Sequence, residues 1–276
     1  MSKEEAERSV IKKFRKEIWC KFVKSVKEYE LISEGDEIAV CVSGGKDSFL
    51  LAKCMQEIQL HGKYRFGLKF LVMDPGYSKK NRQLIEENAE KLGVPLHIFE
   101  SNIFAVTDSV AGGSPCYLCA RMRRGYLYEE AKKLGCNKIA LGHHFDDMVE
   151  TALLSMFYGA EIKTMLPKLR STSHPGMQLI RPLYAVRERD IKAWTSYNGL
   201  TFLNCACRFT ERAAQKEDES KRREMKKLVA LLEETNPEAA NNVFRAFHNV
   251  NTESVVGLRS GKGRLRFSQI FQKDEK

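Results

Sequence analysis

The sequence predicts an α/β fold with a doubly wound, mainly parallel β-sheet and helical extensions at both ends of the chain. Short apolar runs rich in β-branched residues alternate with amphipathic stretches of helical periodicity. A loop of small residues joins the first strand to the helix that follows it, and polar segments follow several strand ends. Parallel strands need crossover connections, and helices between successive strands supply them.

The elements follow one another in a regular order. The first 34 residues predict one amphipathic helix, because their apolar residues recur at helical spacing. Beyond Gly159 the periodicity weakens, although two further helices are predicted. The predicted strands are 37–42, 68–73, 94–99 and 138–141, and the predicted helices are 49–60, 79–92, 121–134, 148–158, 191–197 and 221–232.

This order predicts three regions: residues 1–34 as an N-terminal helical extension, 35–215 as the central domain, and 216–276 as a C-terminal helical region that ends in a basic tail. The tail, from Gly257 onward, is expected to be partly disordered because it is basic and has little apolar periodicity.

Composition limits the class of protein. The chain has 276 residues, of which 43% are hydrophobic, so wholesale disorder is excluded. Lys and Arg number 46 against 36 Asp and Glu, a formal net charge of +10 that favours a polyanionic partner. No apolar run approaches the ~20 residues of a membrane span, and the charged N-terminus lacks an export signal. We therefore expect a cytoplasmic protein without a membrane partner and with reduced thiols.

The glycine loop after the first strand predicts an anion site. Small residues between a buried strand and a helix let backbone N–H groups and the helix N-terminus face an anion, and Lys46 adds a formal charge. The spacing differs from the Walker P-loop, which requires a glycine where this chain has Val40. Phosphate is the expected ligand.

The polar segments after Val42, Met73 and Leu141 are expected to meet at one site, because ligands of such sheets bind beyond the carboxyl ends of the strands. The last of these segments contains an acid pair, Asp146 and Asp147. Asp146 is expected to be the N-cap of the helix that follows.

The eight cysteines fall into two groups. Two close pairs, Cys116 with Cys119 and Cys205 with Cys207, could bind one metal, form a redox pair, or together hold a structural zinc. Four thiolates alone do not distinguish zinc from an iron-sulfur cluster. The single cysteines are expected in the core: Cys20, Cys41, Cys54 and Cys136.

Four motifs carry a resemblance to a known family. The segment SGGKDS, residues 43–48, resembles the PP-loop of the N-type ATP pyrophosphatases. The segments PCYLCARMRRG (115–125), LGHHFDD (141–147) and IRPL (180–183) are similar to motifs of the tRNA 2-thiocytidine synthetase family. The likeness spans roughly residues 35–257. It implies the PP-loop version of the α/β fold and an enzyme that cleaves ATP between its α and β phosphates.

Residue by residue, the resemblance implies a nucleotide site. Met73 and Asp74 would lie beside the adenosine, Gly142 and His143 would line the nucleotide, and Asp147 would be a second acid near the reacting phosphate. Asp47 would bind Mg²⁺. The implied catalytic residues are Lys46, Asp47, Asp147 and Cys205, and the implied ATP phosphate ligands are Ser43, Gly44, Gly45, Lys46, Asp47 and Ser48.

The resemblance also implies a [4Fe-4S] cluster held by Cys116, Cys119 and a third cysteine, which leaves one iron free to carry sulfide. The family's third ligand lies in a Cys-x-x-Cys stretch, whereas this chain has Cys205-x-Cys207. We assign Cys205 as the third ligand, with Cys207 as the alternative. Were Cys207 instead a fourth ligand, the cluster would have no free iron.

The implied activity is the replacement of a pyrimidine carbonyl oxygen by sulfur, forming 2-thiocytidine in a tRNA anticodon loop. The implied partners are tRNA, sulfide or a sulfur-donor protein, and a second copy of the chain. Arg121, Arg123 and Arg124 are expected to contact tRNA, with the basic helix around 221–227 as an extension of that surface. Three alternatives remain open: a PP-loop tRNA ligase with structural zinc, thiolation of a different nucleoside, and a nucleotide-gated RNA-binding module.

Overall fold

The computed structural model describes residues 3–101, 115–203, 216–260 and 263–266, with side chains within 4–101, 122–203, 221–259 and 263–265. Its strands form a six-stranded sheet and a two-stranded hairpin. The strands of the sheet are β1 (Glu37–Cys41), β2 (Gly67–Asp74), β3 (Leu96–Glu100), β4 (Lys138–Ala140), β5 (Lys168–Arg170) and β6 (Gln178–Ile180), and those of the hairpin are β7 (Gly257–Ser260) and β8 (Gly263–Arg266).

The sheet is mainly parallel, as predicted. Its order is β3-β2-β1-β4-β6-β5, and every neighbouring pair is parallel except β5 with β6. In the centre of the sheet, Ile38 of β1 pairs with Leu68 of β2 on one side and with Lys138 of β4 on the other.

Helices connect the strands close to the predicted places. The N-terminal helix is interrupted by two π-helical segments, which the periodicity did not reveal. These segments are Ser9–Lys13 and Arg15–Trp19; the α-helices are α1 (Lys3–Arg8), α2 (Cys20–Glu28), α3 (Lys46–His61), α4 (Lys79–Leu92), α5 (Pro115–Lys133), α6 (Phe145–Gly159), α7 (Glu188–Tyr197), α8 (Lys216–Thr235) and α9 (Ala239–Ala246).

Both faces of the sheet are covered, which explains why its strands are apolar without alternation. Ile38 and Val40 of β1 face a core built with α3, α4, α7 and the N-terminal helix. Ala39 and Cys41 face the opposite core, which includes Leu127 of α5. Successive residues of a strand point to opposite faces, so a strand buried on both sides must be apolar throughout.

The N-terminal helix packs into the first of these cores. Phe22 is fully buried there, and Trp194 of α7 donates a hydrogen bond from Nε1 to Oγ of Ser9 at 3.0 Å. Lys53 of α3, whose side chain is fully buried, extends its ammonium group to Oε1 of Glu7 at 2.9 Å. Residues that the sequence assigned to an extension therefore share the core of the central domain.

The C-terminal helices cover α6. Phe145 and Met148 of α6 form a third cluster with Met225 of α8 and Ala240 of α9. In the tail, β7 and β8 pair as an antiparallel hairpin, and residues 267–276 lie outside the described residues, so the expectation of partial disorder stays a prediction. Among the described residues, no helix is both long and apolar enough to cross a membrane.

The expectation for the single cysteines was wrong for one of them. Cys41, Cys54 and Cys136 are buried, but Cys20 is exposed. Cys20 lies on the outer face of the N-terminal helix, whose buried stripe includes Ile18 and Phe22 on either side of it. The helical periodicity of the segment was thus a better guide than the general burial rank of cysteine.

The sheet has a topological switch point between β1 and β4. These strands are parallel neighbours, yet the chain continues from β1 to β2 on one side and from β4 to β5 and β6 on the other. Connections that diverge in this way open a crevice at the carboxyl edge of the sheet. The glycine loop and the segment 141–147 both lie at this edge.

Candidate functional site

The glycine loop requires glycine at Gly44. Its φ angle is +85°, in the left-handed region that side chains disfavour. A Cβ atom at this position would also come within 2.8 Å of Cγ1 of Ile85 and 3.0 Å of Cδ1 of Leu203. The loop backbone therefore packs directly on α4 and on the segment after α7.

Ser48 closes the loop from within. Its hydroxyl donates to the carbonyl oxygen of Gly45 at 2.8 Å and accepts from the backbone N–H of Ser43 at 3.1 Å. Gly45 is the N-cap of α3 in an extended conformation, so the helix axis points at the loop. These bonds hold the loop in the shape that an anion site at a helix N-terminus needs.

Lys46 and Asp47 form the charged part of the loop. Nζ of Lys46 lies 3.1 Å from Oδ2 of Asp47 and 3.3 Å from Oε1 of Glu188, the first residue of α7. Oδ1 of Asp47 is buried and has no hydrogen-bond partner among the described residues. A carboxylate oxygen without a hydrogen-bond partner, next to a loop that can bind phosphate, is well placed to be a ligand of a cation.

The segment after β4 lies directly against the loop. A Cβ atom on Gly142 would come within 3.1 Å of the carbonyl carbon of Asp47 and of the backbone nitrogen of Ser48. The polar segments that follow β1 and β4 therefore meet, although about 100 residues separate them in the chain.

The structure corrects the N-cap expectation for Asp146. The N-cap of α6 is His144, whose Nδ1 accepts from the backbone N–H of Asp147 at 3.4 Å. Asp147 completes the capping box by accepting the backbone N–H of His144 at 3.0 Å. Nε2 of His144 lies between two carboxylates, 3.9 Å from Oδ1 of Asp47 and 3.5 Å from Oδ2 of Asp147.

Asp146 instead connects α6 to α7. Its Oδ1 accepts from Nε of Arg187 at 3.1 Å, and its Oδ2 accepts from the backbone N–H of Glu188 at 2.6 Å. Arg187 is buried and also donates to Glu233 of α8 at 2.9 Å. Asp146 thus fixes the start of α7 beside Lys46.

Ionisation differs among the acids of this edge. Burial alone would raise the pKa of Asp147, but the ring and the backbone N–H of His144 and the guanidinium of Arg222 together lower it. Burial, with a smaller contribution from Asp147, raises the pKa of Glu150 to about 7. Asp147 therefore remains ionised at neutral pH, while Glu150 is divided between its two forms.

His143 is held neutral by its surroundings. Burial lowers the pKa of its ring, and the cations Arg181 and Arg222 act in the same direction, while Asp147 opposes them. Its Nδ1 is buried without a hydrogen-bond partner within the described part of the chain. The same holds for Nε of Arg181, a buried residue whose pKa burial lowers to about 10.

The third polar segment, after β2, contributes a turn. Asp74 accepts the backbone N–H groups of Gly76 and Tyr77, at 2.8 and 2.7 Å, and it accepts from Arg82 at 2.7 Å. This turn brings Tyr77 to the cavity beside the loop. Met73 is buried in the core on the α5 side of the sheet.

A cavity of about 720 Å³ opens on the glycine loop. This volume lies within the range of small-ligand sites, roughly 300–1,000 Å³. Arg123, predicted to contact tRNA, lines the cavity, whereas Arg124 acts electrostatically on Arg181 and the side chain of Arg121 lies outside the described residues. The lining residues are Ser43, Gly45, Lys46, Asp47, Tyr77, Arg123, Glu188, Lys192, Thr195, Leu200, Thr201, Phe202 and Leu203.

Sequence reasoning missed several charged residues of this edge. Glu150, Arg187, Glu188 and Lys192 belong to no motif; the position of Glu150 one turn after Asp147 on α6 was the only local signal for any of them. Arg222 of α8, a helix predicted to extend the RNA surface, also lies near an acid of this edge: its Nε is 3.6 Å from Oε2 of Glu150. The RNA surface itself stays a prediction.

The side chains of the two cysteine pairs lie outside the part of the chain that the structure describes. Positions 116 and 119 lie on the first turn of α5, one helical turn apart, but their side chains are not described, and Cys205 and Cys207 lie outside the described residues. Within the described ranges no group of three or more His, Cys, Asp or Glu side chains is placed to hold a metal ion. The assignment of the cluster ligands stays a prediction.

Fold and site together define an α/β protein with a loop suited to phosphate at the switch point of its sheet.

Comparisons of the chain with known proteins support this class. A family model described as the PP-loop domain matches residues 14–210. The chain is 34% identical over 257 residues to the tRNA-cytidine(32) 2-sulfurtransferase of Alcanivorax borkumensis, covering 91% of this chain and 87% of the relative. The protein of the same name from Syntrophotalea carbinolica is 37% identical over 235 residues, covering 84% and 88%.

A solved structure has the same fold. The U34-tRNA thiolase NcsA from Methanococcus maripaludis, determined with its [4Fe-4S] cluster, superposes with a TM-score of 0.66 at 19% identity, covering 83% of this chain and 76% of that one. The chain therefore belongs to the PP-loop domain family and, within it, to the family of the tRNA-cytidine(32) 2-sulfurtransferases. The family resemblance of the four motifs is confirmed.

Proposed function

We propose that this chain uses ATP to replace the 2-oxygen of a cytidine in tRNA by sulfur. The observation that carries the proposal is the meeting of the glycine loop and the acid-bearing segment after β4 at one cavity, in a chain of this family. The relatives' name specifies cytidine 32, and we extend that substrate to this chain. Cytidine 32 belongs to the anticodon loop, whose bases can be unstacked and presented singly.

The loop binds and orients the nucleotide. Backbone N–H groups at the start of α3 and the ammonium of Lys46 stabilise charge on the phosphates as the α–β bond breaks. Oδ1 of Asp47 and the ionised carboxylate of Asp147, on either side of Nε2 of His144, are suited to Mg²⁺, which in such sites is held by one or two carboxylates together with substrate phosphates.

The base is then activated and substituted in two balanced steps. The carbonyl oxygen at C2 of the cytosine attacks the α-phosphorus, and the bond to pyrophosphate breaks, which leaves an adenylated base. Hydrosulfide attacks C2, the C2–O bond breaks, AMP departs with the original oxygen, and the proton on sulfur passes to solvent as the C2=S bond forms. The protein contributes charge stabilisation and positioning and forms no covalent bond to the base.

A [4Fe-4S] cluster fits the cysteine-rich part of the chain. Cys116 and Cys119 would hold it from the first turn of α5, because residues three apart lie on one side of a helix, and Cys205 or Cys207 would be the third ligand. When bound, the cluster supplies an iron that can carry the sulfur. Arg123, four residues after Cys119 on the same helix, lines the nucleotide cavity and links the two parts of the proposed site.

The proposal includes partners that follow from the chemistry. Sulfide, free or delivered by a donor protein, is the sulfur source, and tRNA is the substrate. Arg121, Arg123 and Arg124 would contact its backbone as it enters. We also expect a homodimer acting in the cytoplasm; size-exclusion chromatography with light scattering tests the dimer.

The test is an anaerobic reconstitution. The purified chain is incubated with ATP, Mg²⁺, sulfide and unmodified tRNA, after which nucleosides are identified by mass spectrometry and pyrophosphate is measured. We expect 2-thiocytidine with an equal amount of pyrophosphate. Lys46→Ala should abolish both products. A tRNA with uridine at position 32 should yield no 2-thiocytidine.

Matched cysteine variants separate the alternatives. Cys116→Ala should remove the brown colour and the thiolation, while Cys20→Ala, at an exposed single cysteine, should retain both. A colourless protein with one bound zinc and no thiolated product would instead support a ligase of this fold. Absence of pyrophosphate under every condition would support an RNA-binding module without chemistry.

A further inference from the structure

Glu188, next to the glycine loop, forms ion pairs with three lysines. Its Oε1 lies 3.3 Å from Nζ of Lys46, and its Oε2 lies 3.1 Å from Nζ of Lys192 and 2.5 Å from Nζ of Lys226. The three cations come from α3, α7 and α8. One carboxylate is therefore surrounded by three positive charges, of which Lys46 is shared with Asp47 at 3.1 Å.

The backbone of Glu188 is held in place at the start of α7. Glu188 begins α7, and its N–H donates to Oδ2 of Asp146 at 2.6 Å. Burial would raise the pKa of Glu188, but the hydrogen bonds of Lys226 and Lys192 and the charge of Lys46 outweigh it and lower the pKa to about 2. Glu188 is thus a permanent anion at neutral pH.

Two of the lysines share the cavity with the loop. Lys46, Glu188 and Lys192 all line it, together with Ser43 and Gly45. The side chain of Lys192 is 57% exposed. Exposed ion pairs contribute little to stability, so Lys192 can leave Glu188 for a more highly charged partner at small cost. Polyphosphate is such a partner, because several charged oxygens can accept from the same ammonium groups.

We propose that Lys192 is a second polyphosphate-binding cation of the site and that Glu188 is the internal counter-ion which polyphosphate displaces from Lys46 and Lys192. The inference rests on the proposed use of ATP. Lys226, which does not line the cavity, stays on Glu188 and neutralises it after the exchange. The ligand chemistry is that of linked phosphates, whether pyrophosphate or the β and γ phosphates of ATP.

Calorimetric titration of the full chain with pyrophosphate, ATP and AMP tests the proposal without tRNA or sulfide. Lys192→Gln should weaken the binding of pyrophosphate and ATP by about twofold to fivefold, the upper range of one partly exposed ion pair, and should leave AMP binding unchanged. Glu188→Gln should strengthen pyrophosphate binding by a similar factor, because the competing anion is removed. Arg189→Gln is the matched control: it makes the same change of charge on α7 at a guanidinium that faces Asp190 at 4.0 Å.

The proposal is overturned if Lys192→Gln binds pyrophosphate as Arg189→Gln does, or if Glu188→Gln weakens that binding. Equal loss of AMP affinity in Lys192→Gln would also overturn it, since it would indicate a general distortion of the site. Circular dichroism and thermal unfolding of each variant verify the fold. Failure of thiolation with these binding effects intact would contradict the proposed reaction and leave the polyphosphate site standing.

Discussion

Gly142 lies against the peptide bond that joins Asp47 to Ser48. A methyl group on Gly142 would therefore push the segment after β4 away from the glycine loop. The separation that a Cβ would have from this backbone, 3.1 Å, is below ordinary van der Waals distance. The peptide belongs to the first turn of α3 and has little freedom to move. The contact therefore sets the spacing between the phosphate loop and the acids after β4.

Gly142→Ala should consequently damage the site more than the fold. We expect a loss of about 1–3 kcal/mol in the free energy of unfolding, typical of overpacking, and a larger loss of ATP affinity. Urea unfolding and calorimetric titration measure the two effects. Gly159→Ala is the control, because none of the described residues beyond its own turn of helix comes within 4 Å of its Cβ position; its stability should be unchanged or raised by about 1 kcal/mol. Equal ATP affinity in both variants would contradict the expectation.

Glu150 should make stability depend on pH. Its folded-state pKa of about 7 lies above the usual value of 4.5. As the pH rises, the unfolded chain therefore loses the Glu150 proton at a lower pH than the folded protein does. The resulting stabilisation is complete below pH 4.5 and is lost as the pH rises through 7. Glu150→Gln removes this dependence. The difference in unfolding free energy between variant and native protein should change by on the order of 2 kcal/mol between pH 4.5 and 8, measured by urea unfolding at each pH. A constant difference would refute the raised pKa.

Asp146 and Arg187 should be energetically coupled. The pair is partly buried, with side chains 17% and 8% exposed, and it also positions the N–H of Glu188. Removing either partner leaves a charge in a site from which water is largely excluded. A double-mutant cycle with Asp146→Ala and Arg187→Ala should give a coupling energy of about 1–3 kcal/mol. Additive effects would mean that each side chain acts through its other partners.

Lys53 should anchor the N-terminal helix. Its buried ammonium donates to Oε1 of Glu7 and to the carbonyl oxygen of Leu92, both at 2.9 Å. Lys53→Ala removes a buried cation that donates to both acceptors, and we expect a loss of about 3–5 kcal/mol in unfolding free energy. Lys63→Ala, at an exposed lysine, should stay within about 0.5 kcal/mol of the native value. Unfolding of residues 1–34 ahead of the rest, seen by hydrogen exchange, would favour an independent extension.

The fold could be predicted because its signals are local. The sequence of strand β1 is a continuous apolar run because both of its faces are buried. One face lies in the core that contains Phe49, and the other lies in the core that contains Leu127. The helix α4 was predicted with its observed bounds, because Ser78 caps it and Gly93 ends it in a left-handed conformation. The π-helical segments of the N-terminal helix carry no comparable signal, since apolar spacing does not distinguish a π turn from an α turn.

The loop residues of the candidate site were predicted from one motif, whereas their partners were not. Ser43 to Ser48 are contiguous, and their role follows from the strand and helix on either side. Asp146 was predicted to be a helix cap, but the ring of His144 took that position. A cap depends on which side chain reaches the first free N–H groups, and two neighbouring polar residues compete for them.

The order of small residues, apolar runs and paired cysteines along the chain was sufficient to predict a parallel sheet, a phosphate loop and the family. Packing alone decided that Glu188 faces Lys46, that Lys192 lines the cavity, and that Arg222 approaches Asp147. The physical reason is distance along the chain. A loop is specified by neighbours a few residues away, while an ion pair between helices separated by many residues exists only after the sheet has brought them to one edge.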